Sequence, residues 1–235
     1  MKVSIVIPAH NEESVIAKTI ENARKLNYPD FEIIVVNNAS TDKTGDIARG
    51  TGIVVVDEPR KGLLFAREAG RLAAHGELIA NLDADCMPDT EWLSRAVPLF
   101  NNPRVVAAGG GYDYQDAPKA VRYFFLFVQR FMFVPGNVLF NLLHIGGVLA
   151  GGNTFLRASA LKEIGGYDTS ILFYGEDADT AKRISRVGRI IYTDKLTIPS
   201  SGRRFHKQGS LKTIGLYTLM FFKNLLGIKL TNTQE

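Results

Sequence analysis

Three continuous apolar runs separated by helical patterns constrain this chain more than any other feature. Residues 1–7 are rich in Val and Ile and stop at Pro8, residues 31–36 read Phe-Glu-Ile-Ile-Val-Val, and residues 53–56 close the series. Between the first two runs, Ile16, Ile20, Ala23 and Leu26 recur at helical spacing. Asn11 is the expected N-cap of that helix, with Glu12 and Glu13 at the positive end of its dipole. Between the second and third runs, Ser40 or Thr41 is placed to cap a short helix reaching Arg49. Strands that are apolar throughout and alternate with helices belong in a parallel sheet covered on both faces.

Ligands of such sheets gather at the carboxyl ends of the strands. Four polar loops fall at that edge: residues 8–12, 37–42, 57–62 and 83–85. The fourth follows the apolar run Leu78-Ile79-Ala80-Asn81-Leu82 and carries Asp83 and Asp85 around Ala84. On an extended segment residues two apart point the same way, so the pair can offer hard oxygen donors to Mg2+ or Mn2+. A simple turn explains the same spacing, since Asp is common where strands end. The third loop opens a helix at Lys61-Gly62-Leu63, with Arg67 on it among Ala66 and Gly70. Arg67 reads either as a paired hydrogen-bond donor to a pyrophosphate or as a solvated charge beside Glu68.

Further along, residues 91–100 read as a helix, residues 104–111 as a strand ending in glycines, and Gly151-Gly152-Asn153 as a tight turn feeding another strand. A helix over 158–164 follows, stopped by Gly165-Gly166. From Asp179 the pattern Ala181, Ile184, Val187 gives a short helix, and residues 189–193 give a last strand. Glu176, Asp177 and Asp179 crowd the start of that helix. Capping needs only one acid, and a carboxylate beside a substrate hydroxyl can act as a general base.

Between Phe131 and Leu156 there is no formal charge, yet Pro135, Gly136, Asn137, Asn141 and paired glycines interrupt the segment. The expectation is a helical hairpin that covers the site or rests on a membrane, not a transmembrane span. The early break at Pro8 argues against a secretion signal, and the single Cys86 suits a reducing compartment. A cytoplasmic protein is expected, at the inner face of the cytoplasmic membrane if its tail binds lipid. From Lys182 to Lys229 the only acid is Asp194, so the end of the chain favours an anionic neighbour. Residues 211–230 mix aromatics with lysines and read as an amphipathic helical tail that packs on the domain or attaches to a bilayer. Aromatic platforms for base stacking are sparse there, and nucleic acid is not expected as a partner.

These pieces resemble the family 2 glycosyltransferases of the GT-A fold, from Val3 to about Phe205. The resemblance rests on residues 4–12, on Val35-Val36-Asn37-Asn38-Ala39-Ser40-Thr41-Asp42, and on Lys61-Gly62 with Ala66-Arg67. It continues in Leu82-Asp83-Ala84-Asp85, Gly151-Gly152-Asn153 and Gly175-Glu176-Asp177. It implies one Rossmann-like α/β domain over 1–208, with a mostly parallel mixed central sheet flanked by helices. Residues 1–110 form its nucleotide-sugar half, 111–208 its acceptor and catalytic half, and 209–235 the tail.

It further implies a metal-dependent inverting enzyme that moves one sugar from a UDP- or GDP-sugar to a saccharide or lipid-linked acceptor, in glycan, cell-envelope or glycolipid synthesis. Pro8, Ala9, His10 and Glu12 would hold the nucleotide, with Asn38 beside the base, Arg67 toward the diphosphate or base, and Lys61 among the residues that bind the nucleotide-sugar. Asp83 would face the ribose, Ala84 would lie between the acids, and Asp85 would hold Mg2+ or Mn2+. Gly152, Asn153 and Glu176 would line the donor site, and Asp177 would be the base. Arg203 and Arg204, with His206, would close over the diphosphate from a mobile loop. Asn37-Asn38 stand where the family often has paired acids, which leaves uracil or guanine open. No Gln-x-x-Arg-Trp element occurs, so a single transfer is expected, not polymer growth. Other readings are a polyprenyl-phosphate glycosyltransferase at a membrane surface and a non-catalytic binding module. A nucleotidyltransferase would want a glycine-rich first loop, which residues 8–11 do not provide.

Overall fold

The computed structural model describes residues 1–143, 146–171, 175–209 and 215. Apart from residue 215, the tail expectation for 211–230 therefore lies outside the described residues, as does the side chain of Arg204.

The first half alternates as its periodicity requires: β1 (Val3–Ala9), α1 (Ile16–Arg24), β2 (Phe31–Asn38), α2 (Thr44–Gly50), β3 (Val54–Glu58), α3 (Leu63–Ala73) and β4 (Leu78–Leu82). These strands pair in parallel in the order β3-β2-β1-β4. The second half adds β5 (Val105–Gly109), β7 (Asn153–Arg157) and β8 (Arg189–Tyr192). Among the described residues the result is a seven-stranded sheet, β3-β2-β1-β4-β7-β5-β8, in which only β7 runs antiparallel to its neighbours. A small parallel pair, β6 (Tyr112–Asp113) with β9 (Ile198–Pro199), lies outside it.

Apolar side chains fill both faces, as strands without alternation demand. Ile5 and Ile7 pack with Ile16, Ile20 and Trp92 on one side, and Val6 packs with Leu64, Ala66 and Ile79 on the other. Burying each large aliphatic side chain contributes about 1.5–3 kcal/mol. The helix α3 sits close to the sheet because Gly70 has no Cβ, which would fall 2.3 Å from Val6 Cγ1. Its small residues thus serve packing on β1.

Several boundaries differ from expectation. β1 continues through Pro8 to Ala9. The Val3 amide bonds toward β2 and the Lys2 carbonyl toward β4, so by alternation the missing Pro8 N–H faces β4, whose pairing with β1 ends at Val6. Asn11 is not an N-cap: it adopts a left-handed conformation (φ 54°) and its Oδ1 accepts from the Thr41 amide, clipping two edge loops together. The α2 helix starts at Thr44, whose amide is held by Asp42 Oδ1 in place of Ser40 or Thr41. The helix expected over 91–100 is α4 (Trp92–Ala96) followed by a 3-10 turn (Val97–Asn101) at Pro98.

The largest correction concerns the expected hairpin. Lys119–Leu143 is one continuous helix, built of α5 (Lys119–Val128), a π turn (Gln129–Phe133) and α6 (Val134–Leu143). Pro135 breaks nothing because the π turn, closed by the Val134 amide on the Gln129 carbonyl, re-registers the ladder just before it. By length and composition this helix could cross a membrane. Among the described residues the further α-helices are α7 (Ala158–Glu163), α8 (Glu176–Ile184) and α9 (Arg203–Gln208). α8 begins three residues before its expected start, on Gly175 in the left-handed region (φ 98°).

Candidate active site

The parallel strands β1 to β4 end together, and their loops meet α8 and α9 at one edge. Arg67 reaches this edge from α3 with its side chain only 3% exposed. One guanidinium nitrogen lies 3.4 Å from Asp177 Oδ1 and the other 3.6 Å from Asp83 Oδ1. Two carboxylates from distant parts of the chain are thereby held on one cation, Asp177 being 110 residues from Arg67 in sequence. A solvated Arg67 beside Glu68 is excluded: Glu68 pairs with Arg71 instead.

Gly151 and Gly152 make this convergence possible. A Cβ on Gly151 would fall 2.1 Å from Asp177 Oδ1, and one on Gly152 would fall 1.8 Å from Asp83 Cγ. The Asp83 amide donates to the Gly152 carbonyl at 3.1 Å, and the Gly152 amide donates to Tyr112 Oη at 2.9 Å. Tyr112 Oη in turn donates to Asp83 Oδ2 at 3.4 Å. Sequence reasoning missed Tyr112. Its signal was the Gly109-Gly110-Gly111 run before it, where a Cβ on Gly111 would collide with Gln129 Oε1 at 1.3 Å.

Charge in the site is arranged unevenly. Asp85 is pushed up to about 6, first by burial and then by the Asp83 carboxylate, with Arg203 opposing. Glu176 is pushed up to about 8 by burial and by Asp177. Asp177 is raised by burial against the pull of Arg67 and of the Gly151 amide, while about a third of its side chain (35%) stays exposed. A carboxylate that is both reachable and more basic than usual suits proton abstraction.

The guanidinium of Arg203 lies 3.4 Å from Asp85 Oδ2 and forks onto the Glu12 carboxylate, one arm at 2.8 Å. It comes from α9, where the sequence suggested a loop. A cation from the chain itself thus rests on the acid that faces Asp83, Glu12 and the cleft. The donor chemistry fits a hard divalent ion. Among the described residues no three metal-ligating side chains form a cage, so such an ion would take its other oxygens from substrate and water.

The other expected residues divide by position. Pro8 and Ala9 are buried at the end of β1, and His10 Nδ1 meets the Asn38 carbonyl at 2.7 Å. Ala84 is buried and its carbonyl accepts from Thr19. Lys61 is exposed at the rim. Asn38 spends its side chain on the neighbouring loop: Nδ2 donates to the Glu58 and Arg60 carbonyls and Oδ1 accepts from the Gly62 amide. Asn153 corrects the expectation of a donor contact, being 0% exposed. It accepts from Trp92 Nε1 and donates to the Gly111 and Leu196 carbonyls, which pins the sheet behind the site. His206 Nε2 meets the Asp116 carbonyl at 2.7 Å. Cys86 is fully buried, and burial holds its thiol well above the usual range.

Residues 4–165 match the family model described as glycosyl transferase family 2. The probable glycosyltransferase YdaM of Bacillus subtilis is 30% identical over 207 residues, covering 80% of this chain and 47% of that protein. This chain thus spans about half the length of that relative. Among solved structures, the mannosyltransferase PcManGT of Pyrobaculum calidifontis, in complex with GDP-Man and Mn2+, superposes with a TM-score of 0.67 at 22% identity over 85% of this chain and 56% of that one. Glucosyl-3-phosphoglycerate synthase of Mycobacterium tuberculosis, in complex with Mn2+, UDP and phosphoglyceric acid, gives 0.59 at 22% identity, covering 93% and 78%. The sheet and its flanking helices are those of the GT-A fold, as the sequence led us to expect.

Proposed function

The chain belongs to glycosyl transferase family 2, and we propose that it transfers one sugar from a nucleoside-diphosphate sugar to an acceptor hydroxyl with inversion, aided by Mg2+ or Mn2+, in glycan, cell-envelope or glycolipid synthesis. The observation that carries this reading is the bridge of Arg67 between Asp83 and Asp177, with Asp85 beside them at the carboxyl edge of the sheet. Both solved neighbours named above hold Mn2+, one with GDP-Man and the other with UDP, so the donor class is supported and the base is left to experiment.

In this reading the loops at 8–12 and 37–42 seat the nucleoside, and Asp83 approaches the ribose. Asp85 holds the divalent cation, which when bound offsets charge on the diphosphate. The acceptor O–H gives its proton to Asp177, and the freed oxygen attacks the anomeric carbon from the face opposite the diphosphate. The bond from that carbon to the diphosphate oxygen breaks, and the oxygen departs with the electron pair. Arg67 keeps Asp177 oriented, and Arg203 is free to turn from Asp85 toward the diphosphate. The single buried cysteine fits a cytoplasmic setting.

The test is a panel of UDP- and GDP-sugars with Mg2+ or Mn2+, with and without EDTA, read by nucleoside diphosphate release and by the anomer formed. The Asp177→Asn variant should retain donor binding and lose about 10²–10⁴-fold in turnover. Wild-type rates in that variant would remove Asp177 from the chemistry.

A further inference from the structure

The 119–143 helix is amphipathic in the reverse sense. Its inward side is tied to the domain by polar groups along its whole length. Arg122 forks onto Asp113 at 2.6 and 2.7 Å, and Gln129 Nε2 donates to the Tyr112 carbonyl at 2.9 Å. Asn137 Nδ2 donates to the Ile190 carbonyl at 2.9 Å, and Asn141 Oδ1 accepts from the Ile190 amide at 3.0 Å. Its outward side is apolar from end to end. Tyr123 (62% exposed), Phe127 (58%), Phe131 (60%), Val138 (57%) and Leu142 (67%) follow at spacings of four and seven, so they form one stripe. At 1.5 Å per residue the helix is ~37 Å long. Contiguous apolar faces of this size mark a surface that something covers.

The surrounding charge says what covers it. The helix carries Lys119, Arg122 and Arg130 and no acid, although Arg122 pairs with Asp113 and Arg130 with Asp194 from other elements. Beside its C-terminal end lies a groove lined by Arg104, Arg186 and Arg189 together with Asn141, Leu142 and Val187. Among the described residues, no carboxylate pairs with those three arginines. A second copy docked through this face would set cations against cations. The chain's own residues 210–235 carry Lys212, Lys223 and Lys229 against the single acid Glu235, and would do the same. An anionic bilayer meets both demands at once, since its acyl layer takes the apolar stripe and its phosphates take the arginine groove.

We propose that the 119–143 helix lies flat on an anionic lipid bilayer, with Phe127 and Phe131 in the interface and the Arg104, Arg186 and Arg189 groove on lipid phosphates. The helix does not span the bilayer, because its polar inward contacts run along its whole length. This inference stands apart from the reaction and holds whatever sugar is moved.

The test uses the full chain and sedimentation with vesicles of phosphatidylcholine, with and without phosphatidylglycerol. Wild type should sediment with the anionic vesicles, less so as salt is raised. F127E/F131E should weaken this partitioning by about tenfold or more. R186Q/R189Q should weaken it on anionic vesicles and change little on neutral ones. Wild type that stays in the supernatant would overturn the proposal, whether its face then proves to be covered by the tail or by a second copy. Equal sedimentation of F127E/F131E would also overturn it and move the contact elsewhere in the chain. As a second readout, F131W should be quenched by brominated lipid, since the native Trp92 is fully buried; absence of quenching counts against the proposal.

Discussion

At the scale of single residues, the site is a compromise between burial and charge. Arg67 steadies two acids that would otherwise repel, and among the described residues Glu176 makes no ion pair and feels Arg67 only from a distance. Because Glu176 is raised from 4.5 to about 8, the folded chain binds more protons there than the unfolded chain between those values. Stability from this group is therefore present below about pH 4.5 and is lost as pH rises toward about 8. Glu176→Gln removes that dependence. Thermal melts should show the variant gaining on wild type by a few degrees as pH rises through this window, and an unchanging difference would mean that Glu176 is ionised throughout. The acids themselves were legible in sequence, as were Gly151 and Gly152. The duty of Asn38 and Asn153 was not, because an amide in a loop looks the same whether it meets a ligand or a backbone.

At the scale of elements, the alternation of β1 to β4 with three helices followed from local periodicity, and it held. Pro135-Gly136 misled because a proline signals a break only when the ladder before it has no spare turn. The 119–143 helix keeps its course through the π turn and is moored by Asn137, which donates to the Ile190 carbonyl and accepts from the Val148 amide. Asn137→Ala strands the buried Val148 amide, while the Ile190 carbonyl keeps Asn141 Nδ2 at 2.8 Å, and should cost about 1–3 kcal/mol. Urea unfolding would read this as a lower midpoint with an unchanged slope, and an unaltered midpoint would mean that the helix is held by its other contacts. The two-residue pair β6 and β9 was invisible in sequence, since so short a strand has no period to detect.

At the scale of the whole molecule, the chain end returns to its beginning: Arg203 on α9 bonds Glu12 in the first edge loop and reaches Asp85 in the fourth. Donor binding should move Arg203 from Asp85 onto the diphosphate and stabilise the folded chain. Mn2+ together with nucleoside diphosphate at a hundredfold excess over its Kd should add about 2.7 kcal/mol, a rise in Tm of roughly 5–10 °C at this size. Asp85→Asn should abolish the gain from Mn2+ and keep that from nucleotide alone, and a full Mn2+ response in that variant would relocate the metal. The sequence by itself determined the alternating strands and helices of the first half and which of its loops share an edge. Those features come from side-chain periodicity and turn chemistry, which act between near neighbours. Only the tertiary structure decided that Arg67 joins Asp83 to Asp177, that Asn153 is a pin in the core, and that the aromatic helix turns its apolar side outward. Each of these depends on which distant side chains are pressed together when the sheet closes.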